Sequence, residues 1–375
     1  MNVAEEIIVG KIKVLHFELT ENVGGIETFL LNLYRQIDRD KFQFHFVTTA
    51  TVPACKKQLE ELGGVIHKVS TAHEVSHYIN DVRKLLMDNF DIIHFHKNSA
   101  ANILPLVEAR KVNSSLIIVH SHNTAPSKGK ITTFLHWANR SKLYKYSNVH
   151  LACSDIAGKW MYGNKEYEVV RNGIIAKKFL FDMSKREKIR SELELSSGTF
   201  VVGNVGRFVE QKNHQRLLKI FKKIHEKRKD SYMLLVGEGP LRDKIEKEAE
   251  NLGISDRVKF LGNRTDVADV LMAIDAFVMP SLYEGLPVAG VEAQAAGTYL
   301  YLADTISSQT EITKNVTWFS LGQSDNEIAQ MILQNGFPDE VNRAKANDEI
   351  VAAGYDISST CKRIEEIYTH ERSKQ

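Results

Sequence analysis

Phe200–Pro240 reads FVVGNVGRFVEQKNHQRLLKIFKKIHEKRKDSYMLLVGEGP. An apolar run, Phe200–Val205, ends in a glycine-bearing loop. An amphipathic stretch follows, then a second apolar run at Met233–Val236 and a second glycine loop, Gly237-Glu238-Gly239-Pro240. Strand, helix and strand in that order predict two parallel strands joined by a crossover helix. Downstream the alternation continues, with strands expected at Val258–Leu261, Ala276–Met279, Tyr299–Leu302 and Val316–Ser320. Upstream, strands are expected at Lys11–Phe17, Phe42–Thr48, Val65–Val69, Ile92–His96, Leu116–His120 and Val149–Ala152. A helix from about Ile26 to Ile37 follows the loop at Gly24 and Gly25.

The pattern breaks once. Tyr167–Ile175 (YEVVRNGII) carries an Asn-Gly turn signal. A basic, helix-like segment then runs to Leu195, and Ser196-Ser197-Gly198 reads as a loop. The fold class is therefore α/β, with two Rossmann-like domains in series. The boundaries are set at 1–178 and 179–354. Two such sheets are expected to face each other across a cleft, because ligands of open α/β sheets bind at strand ends and helix starts.

The bulk numbers fit this. The chain has 375 residues, 43% hydrophobic and 26% charged, with net charge +2. That is enough for two ordinary globular domains, and it gives no whole-molecule attraction to nucleic acid. Cys55, Cys153 and Cys361 are far apart and odd in number, which predicts a reducing compartment rather than a disulfide framework. The N-terminus lacks signal-peptide character, and no apolar run approaches the roughly 18 residues of a membrane span. A cytoplasmic protein is expected, with the inner face of the cell membrane open to it.

The most specific local signal is Glu284-Gly285-Leu286-Pro287-Val288-Ala289-Gly290-Val291-Glu292. Its two glutamates flank a helix start marked by Pro287. Backbone amides of Gly285, Leu286 and Val288 suit a diphosphate, and each carboxylate suits sugar hydroxyls. A capped surface helix with two solvated glutamates is the blander reading of the spacing alone. In Gly203–Asn213, Arg207 and Lys212 sit five apart in a strand-to-helix loop. Two cations there suit a pyrophosphate and the charge that grows on a departing nucleotide. Gly237, and then Asn263 and Arg264 of FLGNR, mark further strand ends where a base and ribose can approach, although glycines after strands are also ordinary turn residues. Gly24 and Gly25 open a helix directly after the first strand, without the fingerprint of nicotinamide binding. His94, His96, His120 and His122 gather at two strand ends. With no carboxylates near them they read as polar strand ends, and no metal site or cofactor is expected.

In this order, GGIETFL, HSHNT, RNGI, VGRFVEQKN, LLVGEGP, VKFLGNRTDV and SLYEGLPVAGVEAQAAG resemble the retaining family-four glycosyltransferases of the GT-B fold, especially bacterial capsule and exopolysaccharide members. The resemblance spans most of the chain. It implies a nucleotide-sugar donor, uridine-linked by family habit, and a glycan, lipid-linked or protein acceptor. By that resemblance Glu284 contacts the donor sugar and Glu292 the ribose. Arg207 and Lys212 clamp the diphosphate in place of a metal, and Gly285, Leu286 and Val288 cradle it. Asn263 and Arg264 meet the base, and Gly24 and Gly25 form the first-domain glycine loop. His122 matches the histidine at the reacting centre better than His120. The resemblance, together with the periodicity of Ile357–Thr369, also implies a C-terminal helix, about 355–375, crossing back to the first domain. Gly297-Thr298-Tyr299-Leu300-Tyr301 departs from the family's usual Gly-x-Pro-Val-Ile, which leaves donor identity open.

Lys128–Tyr146 mixes basic and aromatic residues at helical spacing. It either faces lipid headgroups as a peripheral membrane contact or, the slightly favoured reading, packs its aromatics in the core. A sugar-nucleotide epimerase of the same fold and a silent nucleotide-sugar-binding subunit are the competing functions. Release of free nucleotide separates transfer from both.

Overall fold

The computed structural model describes residues 10–21, 24–71, 74–111, 115–123 and 129–373. The chain divides into two compact units, Met1–Gly173 with Ile357–Gln375, and Ile174–Asp356.

The first unit alternates β1 (Ile12–Leu19), α1 (Gly25–Gln36), β2 (Phe42–Thr48), α2 (Lys56–Glu61), β3 (Val65–Lys68), α3 (Val75–Leu86), β4 (Ile92–Lys97), α4 (Leu104–Ala109), β5 (Leu116–Ser121), α5 (Lys130–Tyr146), β6 (Val149–Ala152), α6 (Asp155–Tyr162) and the short β7 (Glu168–Val169). Its strands form one sheet in the order β3-β2-β1-β4-β5-β6-β7, with parallel pairing throughout. β4 and β5 are buried along their whole length, as strands covered on both faces must be. One core gathers on each side of the sheet, around Phe29, Phe44 and Ile118 on one and Phe17, Ile93 and Val119 on the other.

The second unit runs α7 (Met183–Glu192), β8 (Phe200–Val205), α8 (His214–Lys227), β9 (Ser231–Val236), α9 (Arg242–Asn251), β10 (Val258–Gly262), α10 (Val267–Ala273), β11 (Ala276–Met279), α11 (Val288–Ala295), β12 (Tyr299–Ala303), β13 (Val316–Phe319), α12 (Asp325–Gln334) and α13 (Glu340–Ala352). Its sheet order is β10-β9-β8-β11-β12-β13, again parallel. Strand order reverses between β1 and β4 in one sheet and between β8 and β11 in the other. Those switch points open the crevices where ligands of open α/β sheets sit.

Each expected strand is present within about two residues of its expected limits. The division between units falls at Gly173/Ile174 and Asp356/Ile357, beside the expected 178/179 and 354/355. Its physical basis is Ile174, which is buried in the second unit's core and donates its N–H to the Tyr355 carbonyl at 2.8 Å. The last helix, α14 (Ile357–Ser373), belongs to the first unit. Its Cys361, Ile364, Ile367 and Tyr368 complete the core that contains Phe29 and Phe42.

The basic segment before β8 forms α7, yet its arginines do not all face water. Arg186 and Arg190 turn inward onto Asp275, at 2.6 and 2.8 Å, and Asp275 is fully buried. Among the described residues, no helix is long and apolar enough to cross a membrane.

Candidate functional site

At the β8/β11 switch point two loops are stitched together. Asn204 Nδ2, buried in β8, donates to the Val278 carbonyl at 2.8 Å. In the loop beyond, Asn213 adopts a left-handed conformation (φ 54°) and donates to the Pro280 carbonyl at 3.0 Å. Gln211 Nε2 donates to the Tyr283 carbonyl, and the Leu282 N–H donates to the Gln211 carbonyl. Lys212 thereby meets Glu284, its ammonium 2.5 Å from Oε1, and the Ser281 hydroxyl donates to the same oxygen at 3.0 Å. Neither member of this ion pair is well exposed, with side chains at 16% and 10%. Arg207 is exposed, and its side chain has no hydrogen-bond or ion-pair partner among the described residues. The two cations therefore differ: Arg207 is free for an incoming anion, whereas Lys212 is already neutralised.

Gly285 and Leu286 lead into α11, which Pro287 caps with extended backbone and Val288 begins. Free amides at this helix start attract negative charge. Glu292 lies one turn into α11. Burial raises its carboxyl to about 7, and no partner holds it among the described residues. Gly237 has a positive φ of 130°, and a Cβ there would fall 2.2 Å from the Gly206 carbonyl oxygen. Glycine is thus required for the loops after β8 and β9 to touch. Asn263 is exposed. Arg264 is engaged otherwise than expected: Asp266 holds it through two bonds, at 2.8 and 2.7 Å, and Glu192 at 2.8 Å. Its guanidinium is committed to bracing α7.

In the first unit the Gly24–Gly25 turn opens α1. Gly24 caps α1, but the Glu27 carboxylate folds back to accept its N–H at 3.1 Å and the Thr20 hydroxyl at 2.7 Å. An anion approaching this helix start meets a carboxylate already in place.

The histidines are also not polar strand ends. Parallel register sets His16 beside His94 and His96 beside His120. His16, His94, His96 and His120 are fully buried, and only His122 is partly exposed. His96 links two neighbours, its Nε2 3.0 Å from His16 Nδ1 and its Nδ1 2.9 Å from His122 Nε2. His94 Nδ1 lies 2.7 Å from the Tyr368 hydroxyl. Burial pushes His16 and His120 down to about 3 and His94, His96 and His122 well below the usual range, so all five rings are neutral. Sequence reading missed His16, which precedes the paired motifs by some eighty residues. Its signal was a polar ring within the apolar run KIKVLHF.

A family model for group 1 glycosyl transferases matches residues 185–334. EpsF of Bacillus subtilis (strain 168), named as a glycosyltransferase, is 30% identical over 380 aligned positions, 96% of this chain and 97% of EpsF. The chain belongs to the group 1 glycosyl transferases. The UDP-Gal:alpha-D-GlcNAc-diphosphoundecaprenol alpha-1,3-galactosyltransferase of Escherichia coli is 25% identical over 302 positions, 76% of this chain and 78% of that enzyme. In fold, this glycosyl transferase matches Anabaena HepE, solved in complex with UDP, with TM-score 0.77 and 19% identity over 96% of this chain and all of HepE. Its two parallel-sheet units have the GT-B architecture.

Within this transferase α5 divides the favoured reading of its aromatics: Tyr144 and Tyr146 pack against the first unit's core, whereas Phe134 and Trp137 do not. Ile131, Phe134 and Trp137 are more than half exposed and Leu135 is 40% exposed, while His136 and Leu143 are the residues turned inward. Lys128 lies outside the described residues.

Proposed function

We propose that this chain is a retaining, metal-independent transferase that moves a hexosyl or N-acetylhexosaminyl group from a UDP-linked sugar to a glycan, lipid-linked or protein acceptor in surface-polysaccharide synthesis. The observation that supports this is the Lys212–Glu284 ion pair ahead of the α11 helix start, with Arg207 exposed in the same loop as Lys212. The diphosphate leaves with growing negative charge. Arg207, the Lys212 ammonium and the amides near Val288 are the groups that stabilise it. Glu284 accepts hydrogen bonds from the donor sugar, Glu292 holds ribose hydroxyls, and Gly237 and Asn263 line the approach of the base. His122, on the first unit, works at the reacting carbon.

His122→Ala is expected to cut transfer at least a hundredfold, within the range lost when a positioned polar group is removed. UDP binding, by calorimetry, is expected to change little. Full transfer by His122→Ala with a dead His120→Ala would move the role to His120. Transfer is expected to persist in a chelator, and loss there with rescue by a divalent ion would refute the metal-independent mechanism.

The exposed row Ile131, Phe134 and Trp137 on α5 supports a peripheral membrane contact that brings the protein to a lipid-linked acceptor at the inner face of the cell membrane. The acceptor named for the E. coli relative is of that kind. Sedimentation with anionic vesicles is expected, and Phe134→Ser with Trp137→Ser is expected to abolish it. Equal sedimentation of the double variant would count against the contact.

A further inference from the structure

We propose that His96, His120 and His122 form a binding site for a zinc-type transition-metal dication, and that its occupancy withdraws His122 from the transfer reaction. The ligand nitrogens of these three rings lie within 4.8 Å of one another, as do those of His16, His94 and His96. Zinc holds nitrogens at roughly 2.0–2.1 Å in a tetrahedron, which spaces them about 3.3 Å apart, so small ring rotations suffice. The donor set is all imidazole, which selects zinc, copper, nickel or cobalt over magnesium and calcium.

Two further observations point to an ion. First, His16 Nε2, His94 Nε2 and His122 Nδ1 are buried without a hydrogen-bond partner, and neither nitrogen of His120 makes a well-formed one, although the Val170 backbone stands beside that ring. Buried polar groups are ordinarily satisfied, and each such orphan carries a desolvation penalty. Second, the proton arrangement that suits a metal also satisfies the surroundings. With the proton of His96 on Nε2, it donates to His16 Nδ1 and leaves the Nδ1 lone pair facing His122. With the proton of His122 on Nδ1, its Nε2 becomes the second ligand. The Nδ1–H then faces Asn172, which stands beside that ring and whose Oδ1 also lacks a partner. His120 supplies the third nitrogen, and a water fills the fourth position. The protons only change nitrogens, so binding releases none. Two ligands thus have the outer hydrogen bonds that orient metal-bound histidines. His122 is the partly exposed member, so an ion enters past it.

Metal binding does not depend on the function proposed above, whereas inhibition does. The test strips the full-length protein with a chelator, then titrates it with Co²⁺ alone and displaces the cobalt with Zn²⁺. Expected are one ion per chain, the visible absorption of tetrahedral cobalt, and transfer that falls in step with zinc occupancy. Asn172→Ala is expected to weaken metal affinity by about 10–100-fold, and His96→Gln by more. No stoichiometric binding to the wild-type chain, or unchanged affinity in either His96→Gln or His120→Gln, overturns the site. Stoichiometric zinc with undiminished transfer overturns the inhibition and with it the assignment of His122, while the site itself stands.

Discussion

Lys212→Ala is expected to lower turnover roughly a hundred- to a thousandfold, the loss of about 3–4 kcal/mol that follows removal of one electrostatic donor to a transition-state anion. Lys212 has two employments. In the free protein it neutralises Glu284 at 2.5 Å. With donor bound it is proposed to face the diphosphate. Its removal therefore leaves a largely buried carboxylate, held among the described residues by the Ser281 hydroxyl, beside the leaving group. Lys212→Ala combined with Glu284→Gln is expected to bind UDP more tightly than Lys212→Ala alone, because the repelling charge has gone. Arg207→Ala is expected to slow turnover by the same order without changing stability, since the exposed guanidinium is unpaired among the described residues. Donor affinity should weaken less than turnover in both single variants, because part of the charge appears only as the bond breaks. Near-normal turnover in both would discard the clamp.

The largest effect on stability is expected at Asp275→Ala, about 3–5 kcal/mol, the range for removing one partner from a buried ion pair. Asp275 Oδ1 takes Arg186 at 2.6 Å, and Oδ2 takes Arg190 and the Val201 N–H, both at 2.8 Å. Arg190 is itself buried and donates also to the carbonyls of Ser196, Thr199 and Ala273. The substitution strands two cations that are largely shielded from water, their side chains 12% and 4% exposed. Chemical denaturation followed by fluorescence measures this, and a loss below about 1 kcal/mol would show that the arginines find other partners.

Strand positions were legible because parallel strands buried on both faces are nearly continuous apolar runs. The turns after the strands were legible too, since glycines and a proline at strand ends carry their meaning locally. Long-range pairing was not. Nothing within Met183–Glu192 distinguishes the inward Arg186 and Arg190 from the solvated lysines beside them, because their partner stands some ninety residues on. Arg264 has the same history, read as a ligand contact and found bracing Glu192 and Asp266. The histidine cluster was hidden for another reason. It needs the register of three strands, and the order β1-β4-β5 brings His16 to His94 only when the sheet is assembled. The exposed aromatics of α5 show the limit of periodicity, which places residues on a face without saying what covers it.

The return of α14 to the first unit has a consequence for synthesis on the ribosome. The second unit, Ile174–Asp356, is one continuous segment and can close its two cores as soon as it emerges. The first unit emerges earlier but must wait. Until Ile364, Ile367 and Tyr368 are made, Phe29 and Phe42 lack their covering helix and the His94 ring lacks its tyrosine. The half made first is therefore finished last, and during that interval its apolar surface is the part of the nascent chain most in need of a chaperone.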